Sequence, residues 1–147
     1  MIINLQLVPR GGMTVRGKES PAIIDIGDPG TEFREPIDYE LNVDLVGHLL
    51  LVRGRLQTRV RFSCARCLKN VELPLKVPGF DVQKEVADPA GTIDLTDEIR
   101  TDIILALPLK PLCQPGCRGI CPVCGQDLNE KQCGCQSARE DSPFAGL

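Results

Sequence analysis

Six of the eight cysteines lie between Cys113 and Cys135, spaced C-x3-C, C-x3-C, C-x2-C, C-x8-C and C-x-C; the other two form Cys64-Ala65-Arg66-Cys67. Thiolates three residues apart can grip one metal ion if the chain turns tightly between them. In Cys121-Pro122-Val123-Cys124-Gly125, Pro122 fixes φ on the way into such a turn, and Gly125 accepts the positive φ needed on the way out. Amides exposed in that turn can point at the sulfurs and offset their charge. Eight cysteines in two groups are the arithmetic of two four-thiolate sites. The candidate ligands are Cys64, Cys67, Cys113, Cys117, Cys121, Cys124, Cys133 and Cys135. A closed all-sulfur set leaves no position for water or substrate. The expected cofactor is therefore structural zinc, about two ions per chain, with iron the chemical alternative.

Two groupings are open. Cys121, Cys124, Cys133 and Cys135 can close a local site, leaving Cys64, Cys67, Cys113 and Cys117 for a second. Alternatively the two C-x2-C pairs share one ion, and Cys113, Cys117, Cys133 and Cys135 share the other. Short loops lose the least entropy on closing, which favours the first.

Length and composition bound the rest. A chain of 147 residues reads as one domain burying about two-thirds of its unfolded surface. With no Trp, one Tyr and four Phe, its core must be aliphatic, and metal cross-links would help hold it. Residues 1–12 lack the basic and apolar regions of a secretory signal, and no apolar run is long enough to span a membrane. A reducing, cytoplasmic setting is expected, in which thiols bind metal rather than form disulfides. The formal net charge of −3 is unevenly spread. Glu19–Asp44 holds eight acidic residues and one basic, whereas Leu45–Phe80 holds seven basic residues and one acidic. From Asp81 to Leu109 the balance returns to seven acidic and two basic.

These patterns predict an α+β chain: an antiparallel β-sheet, able to close in barrel-like fashion, with one packed helix and a C-terminal cysteine-rich, zinc-ribbon-like segment. Residues 1–92 should be mainly β and carry the first cysteine knuckle. Residues 94–107 should form the helix, 113–135 the metal-binding segment and 136–147 a flexible tail. Residues 1–9 read as a strand, and 10–36 as mostly loop, with a short strand at Ala22–Ile26. In 37–47, Ile37, Tyr39, Leu41, Val43 and Leu45 alternate with Asp38, Glu40, Asn42 and Asp44. In Leu49–Phe62, Leu50, Val52, Leu56, Val60 and Phe62 face one way and Arg53, Arg55, Gln57, Arg59 and Arg61 the other. The two strands should pair antiparallel across Gly47-His48, laying acidic side chains opposite basic ones. Val71–Val77 reads as an edge strand because of Pro74, and 78–92 as a loop. Asp94 should cap a helix whose buried face carries Leu95, Ile99, Ile103 and Ala106.

The run Leu105-Ala106-Leu107-Pro108, Leu112-Cys113 and Cys117-Arg118-Gly119-Ile120-Cys121-Pro122-Val123-Cys124-Gly125-Gln126-Asp127-Leu128-Asn129 resembles the YceD family, the large ribosomal RNA subunit accumulation proteins. Cys64-Ala65-Arg66-Cys67 resembles its C-x-R-C element, and Ile93-Asp94-Leu95 the segment leading into its helix. The resemblance covers roughly residues 45–135. It implies a cytoplasmic, non-catalytic factor in ribosome assembly, needed for large-subunit ribosomal RNA to accumulate.

Clustered guanidinium and ammonium groups are what phosphate recognition requires, and Arg53, Arg55, Arg59, Arg61, Arg66 and Lys69 are the candidate RNA contacts. So few aromatics leave little for stacking on single-stranded bases. The expected partner is large-subunit ribosomal RNA, a pre-ribosomal particle or ribosomal proteins, with no membrane and no small-molecule substrate. Two other readings compete. One is a zinc-stabilised protein-interaction module whose acidic segments meet basic partners; the other is a thiol oxidoreductase using Cys64 or Cys121. No GxSxG, P-loop or HExxH occurs, and one histidine leaves few players for base or metal catalysis.

Overall fold

The computed structural model describes residues 1–135, which fall in two compact units. The first comprises Met1–Phe62 and Glu72–Pro108; the second comprises Ser63–Val71 and the chain from Leu109. The expected tail at 136–147 lies outside the described residues.

Strands are β1 (Ile2–Asn4), β2 (Met13–Glu19), β3 (Thr31–Phe33), β4 (Ile37–Val46), β5 (Leu49–Ser63), β6 (Asn70–Glu85) and β7 (Thr92–Asp94), followed by helix α1 (Thr96–Leu105). β1 and β7 form a small antiparallel pair. The main sheet is built on β5, which pairs with β4, β3 and β6, while β2 adds to the far side of β4. The alternation in β4 and β5 produces the expected antiparallel ladder, with Glu40 opposite Arg55, Asn42 opposite Arg53 and Val43 opposite Val52.

The sheet does not close into a barrel among the described residues. β6 pairs with β5 alone, and its Pro74 and Pro78 lack the N–H groups that a further ladder would need. The same strand corrects the expected loop at 78–92. Pairing carries it through Pro78-Gly79 to Glu85, because β5 is long and Phe80 is buried. Residues 10–36 also hold more structure than expected: Met13–Glu19 is a strand drawn out by β4. The strand expected at Ala22–Ile26 is instead a 3-10 turn at Pro21–Ile23, capped by Ser20 accepting from the Ala22 N–H. The strand expected over 1–9 stops at Asn4, whose side chain accepts from the Gln6 N–H and starts another 3-10 turn.

Leu50, Val52, Leu56, Val60 and Phe62 are buried, as are Ile37, Leu41 and Val43 of β4. The helix contributes Leu95, Ile99 and Ile103 to the core of the first unit; Ala106 is half-buried. It is shorter than 94–107. Leu95 occupies the cap position with no side-chain bond, and Asp94 one residue earlier accepts from the N–H and hydroxyl of Thr96, at 2.9 and 2.6 Å. Asp97 and Glu98 lie in the first turn, where the helix dipole favours negative charge. Lys84 of β6 pairs with Glu98, and Arg100 donates to the Ile23 carbonyl at 2.7 Å. Among the described residues no helix is long and apolar enough to cross a membrane.

Gly54, mid-strand in β5, is required by close approach. A Cβ there would collide with the Glu40 carbonyl and lie 2.9 Å from the Leu41 Cα, whereas a Cβ at Gly79 would meet nothing within 4 Å. Gly54→Ala should therefore cost about 1–3 kcal/mol in urea unfolding, and Gly79→Ala should cost clearly less. Equal midpoints for the two variants would contradict this packing of β4 on β5.

Candidate metal centres

Both C-x2-C segments fold into the same turn, by the same backbone bonds. The Cys64 N–H donates to the Lys69 carbonyl at 2.8 Å, and the Leu68 N–H to the Cys64 carbonyl at 2.9 Å. The second segment repeats this, from Cys121 to Gln126 at 2.8 Å and from Gly125 to Cys121 at 2.9 Å. The residue after the second cysteine takes a left-handed conformation in both, with φ of 61° at Leu68 and 73° at Gly125. Glycine adopts this freely; leucine there stores about 1–3 kcal/mol of strain.

These turns gather the sulfurs into two sets. Cys64, Cys67, Cys113 and Cys117 form one, and Cys121, Cys124, Cys133 and Cys135 the other, with the four sulfurs of each set within 4.8 Å of one another. This is the first of the two groupings. All eight cysteines are free. In the first set, sulfur separations are 3.8 Å for Cys64–Cys117 and 3.6 Å for Cys67–Cys113. Four sulfurs tetrahedral about one Zn²⁺ lie about 3.8 Å apart, given a bond of ~2.3 Å. The donor set and its spacing therefore fit, and each group could hold a metal ion. Backbone N–H groups of Cys113 and Val123 aim at the Cys64 and Cys121 sulfurs, both at 3.4 Å, as ligand-orienting donors should. The first set is largely enclosed; in the second, Cys124 and Cys135 are exposed.

The sulfurs titrate unequally. Burial pushes the Cys64 thiol up, but N–H groups of Cys67, Arg66 and Cys113 outweigh it and bring the thiol down to about 6. N–H groups of Cys124 and Val123 bring Cys121 down to about 6. Burial and the neighbouring Cys117 sulfur push Cys113 up to about 12, and the Cys124 sulfur and burial do the same for Cys135. The cause is general: adjacent thiolates cannot all ionise until a cation joins them.

Several residues around the sulfurs carry roles that residue type and spacing do not reveal. Arg66 donates to the Cys117 carbonyl at 2.7 Å. Lys69 pairs with Asp127 at 2.7 Å and with Glu130 at 2.5 Å; the two carboxylates raise its pKa, and Lys69 in turn lowers that of Asp127. Asn129 donates to the Cys117 sulfur at 3.3 Å and holds that thiol below its ordinary value. The one available signal is the pair of Asx residues, Asp127 and Asn129, between Gly125 and Lys131, which favours turns without naming a partner.

The candidate RNA contacts are divided. Arg53, Arg55, Arg59 and Arg61 share the outward face of β5, with Arg61 half-buried and the others exposed. Arg53 pairs with Asp81 at 3.1 Å, Arg55 with Glu40 at 2.7 Å and Arg61 with Glu32 at 3.7 Å. The guanidiniums of Arg55 and Arg16 hold the Glu40 carboxyl below the usual range. Asp38 instead pairs with Lys18. Among the described residues Arg59 has no carboxylate partner. Arg66 and Lys69 belong to the other unit and already have the partners named above. His48, at the β4–β5 turn, contacts the Val86 carbonyl through Nδ1 at 3.1 Å.

Fold and sites together define an antiparallel-sheet protein with a separate unit built on two four-cysteine clusters. Residues 78–147 match the family model described as Large ribosomal RNA subunit accumulation protein YceD. The chain belongs to the YceD family, with that match falling on its C-terminal half. An uncharacterized protein of Mycobacterium tuberculosis is 32% identical over 106 residues, 63% of this chain and 51% of its own length. A Mycobacterium leprae protein is 30% identical over 113 residues, 66% of this chain and 51% of its own. The Large ribosomal RNA subunit accumulation protein YCED homolog 1, chloroplastic, of Arabidopsis thaliana is 31% identical over 55 residues, 37% of this chain and 17% of its own. The chain thus spans about half the length of the mycobacterial relatives, and no solved structure matches it.

Titration with Zn²⁺ should saturate at about two ions per chain. Cys113 and Cys135, both near 12, hold protons that the metal must displace at neutral pH. Affinity at each site should then fall about tenfold or more per unit of pH lost, steepening below pH 6 as Cys64 and Cys121 also protonate. Chelator competition from pH 6 to 8 reads this directly. A pH-independent affinity would contradict the sulfur assignment.

Proposed function

We propose that this chain is a non-catalytic factor in the accumulation of large-subunit ribosomal RNA, acting in ribosome assembly. Zinc in the two four-cysteine sets would hold a zinc-ribbon-like unit in shape. The observation that carries this reading is the match of residues 78–147 to the large ribosomal RNA subunit accumulation family. The name of the Arabidopsis relative agrees with it. An all-thiolate set with no open position suits a structural ion better than a catalytic one.

In this reading the outward face of β5 meets RNA. Arg53 and Arg55, like Arg59 and Arg61, lie two residues apart along the strand, about 6.7 Å, close to the spacing of successive phosphates. Their ion pairs do not preclude this, because exposed pairs contribute only about 0–1 kcal/mol and exchange readily for phosphate. Arg59, with no carboxylate partner among the described residues, would lead the contact. Arg66 and Lys69 enter last, since each already serves its own unit.

A second reading has one observation in its favour: three of the four guanidiniums on β5 are paired with carboxylates. A face neutralised in this way would suit a protein partner, such as a ribosomal protein, better than a polyanion. Graded salt separates the two. Each neutralised phosphate contributes about 0.7–0.9 to the slope of log affinity against log salt. Arg59→Gln should flatten that slope by about 0.7–0.9, and replacing Arg53, Arg55, Arg59 and Arg61 together by about 2–4. Zinc content and folding should be unchanged. Unchanged binding to ribosomal RNA by the quadruple variant would remove β5 from the interface, and no binding by the parent protein at any salt would favour the protein-interaction module.

A further inference from the structure

Asn129 lies in the loop between Cys124 and Cys133, two ligands of the second cysteine set, yet its side chain serves the first. Its Nδ2 donates to the Cys117 sulfur at 3.3 Å and to the Asp127 carboxylate at 2.9 Å. Its Oδ1 accepts from the Arg118 N–H at 2.8 Å and from the Gln114 side chain at 3.4 Å. This network fixes which way the carboxamide points. The reverse orientation would set an oxygen against both a thiolate and a carboxylate, and an NH₂ against an N–H.

The loop that presents Asn129 is tied down from several sides. The Asn129 N–H donates to Asp127 Oδ1 at 2.8 Å, and Asp127 pairs with Lys69, just beyond Cys67 of the first set. The Leu128 N–H donates to the Gly119 carbonyl at 2.9 Å, and Ile120 bridges Asp127. Gly119, at φ 81°, permits a close approach: a Cβ there would lie 3.0 Å from the Arg66 carbonyl, which itself accepts from Ile120. On either side of this stretch, cysteines of the second set close the loop, so their gathering sets where Asn129 stands.

We infer that Asn129 is a positioning residue through which the second metal centre strengthens the first, by an N–H···S bond to the Cys117 thiolate. The inference rests on both sets binding metal. An N–H donor to a ligating thiolate draws off charge and fixes the sulfur's direction, and losing such a partner typically weakens a site 10- to 100-fold. Filling the second set orders the loop and supplies that donor; emptying it withdraws the donor. Loading of the two centres is then cooperative in one direct sense: occupancy of either favours the other.

The test uses the full chain and Co²⁺, whose absorption reports each thiolate set. Asn129→Asp keeps the shape but replaces the donor with an acceptor. It should weaken the set containing Cys117 by about 10- to 100-fold and move that set's sulfur-to-cobalt charge-transfer band to lower energy. A purely structural loosening would leave the band of the bound fraction in place. Removing the second set with Cys124→Ser and Cys135→Ser should weaken the first by a similar factor. In that background Asn129→Asp should add little, because both changes break one link. Should Asn129→Asp fail to fold, Asn129→Ala deletes the donor without adding charge and carries the same expectation. A parent chain that binds two Co²⁺, with affinity and band at the first set unmoved in the Asn129 variants, overturns the inference alone. Unchanged affinity at the first set after loss of the second overturns it equally. A parent chain that binds no Co²⁺ overturns the metal reading and this inference with it.

Discussion

The unit from Ser63 to Val71 and from Leu109 onward has almost nothing to bury except sulfur. Among its described residues the only buried ones are Cys64, Cys67, Cys117 and Cys121, with Gly119. Leu112 and Ile120 pack against the cysteine core but are themselves only partly buried. A segment of this size with so little apolar surface removed from water cannot offset its chain entropy by hydrophobic burial alone. Bringing four sulfurs together makes the problem worse while they are unbound, since the sets that gather thiolates also repel them. A cation at the centre of each set reverses the sign of that term. Structural zinc in small finger peptides contributes about 10–16 kcal/mol, enough to decide whether such a segment folds.

The sheet unit is stabilised by other means. Its core is aliphatic, drawn from the inward faces of β4 and β5 and from one face of α1, and it needs no metal to account for its burial. In the proposed reading, what it offers a partner is the opposite face of β5. There three of the four arginines pair with carboxylates from β3, β4 and β6, so their charge is available only to a partner that competes for it. Weak exposed ion pairs can hold guanidiniums in place without committing them. This gives the proposed RNA contact a marked sensitivity to salt and to the loss of Arg59.

Much of this architecture is legible in the residues themselves. The alternation in 37–47 and 49–62 survives folding because each strand buries one face, and a one-residue slip would invert every side chain. The second knuckle is legible because Cys121-Pro122-Val123-Cys124-Gly125 carries its turn chemistry locally. The matching conformation at Leu68 is hidden, since leucine gives no hint of a left-handed position. Strand Met13–Glu19 is hidden too, because its partner β4 imposes it and its own residues are only half-buried. Pro78-Gly79 reads as a loop because turn residues look the same on an edge strand as in a turn. Loop length favours the observed grouping of sulfurs over its alternative, but nothing in the sequence points to the role of Asn129, because its contact with Cys117 depends on how the intervening turns fold.

Hydrogen exchange with and without a chelator tests most directly whether metal-held sulfur sets are the core of the second unit. With metal removed, the N–H groups of Cys64, Leu68, Cys121, Gly125 and Leu128, all bonded in the folded unit, should lose protection. Those of the β4–β5 ladder should keep theirs. Unchanged protection in the cysteine unit after complete metal removal would contradict this picture, because the sulfur sets would then be incidental to a unit that folds by other means.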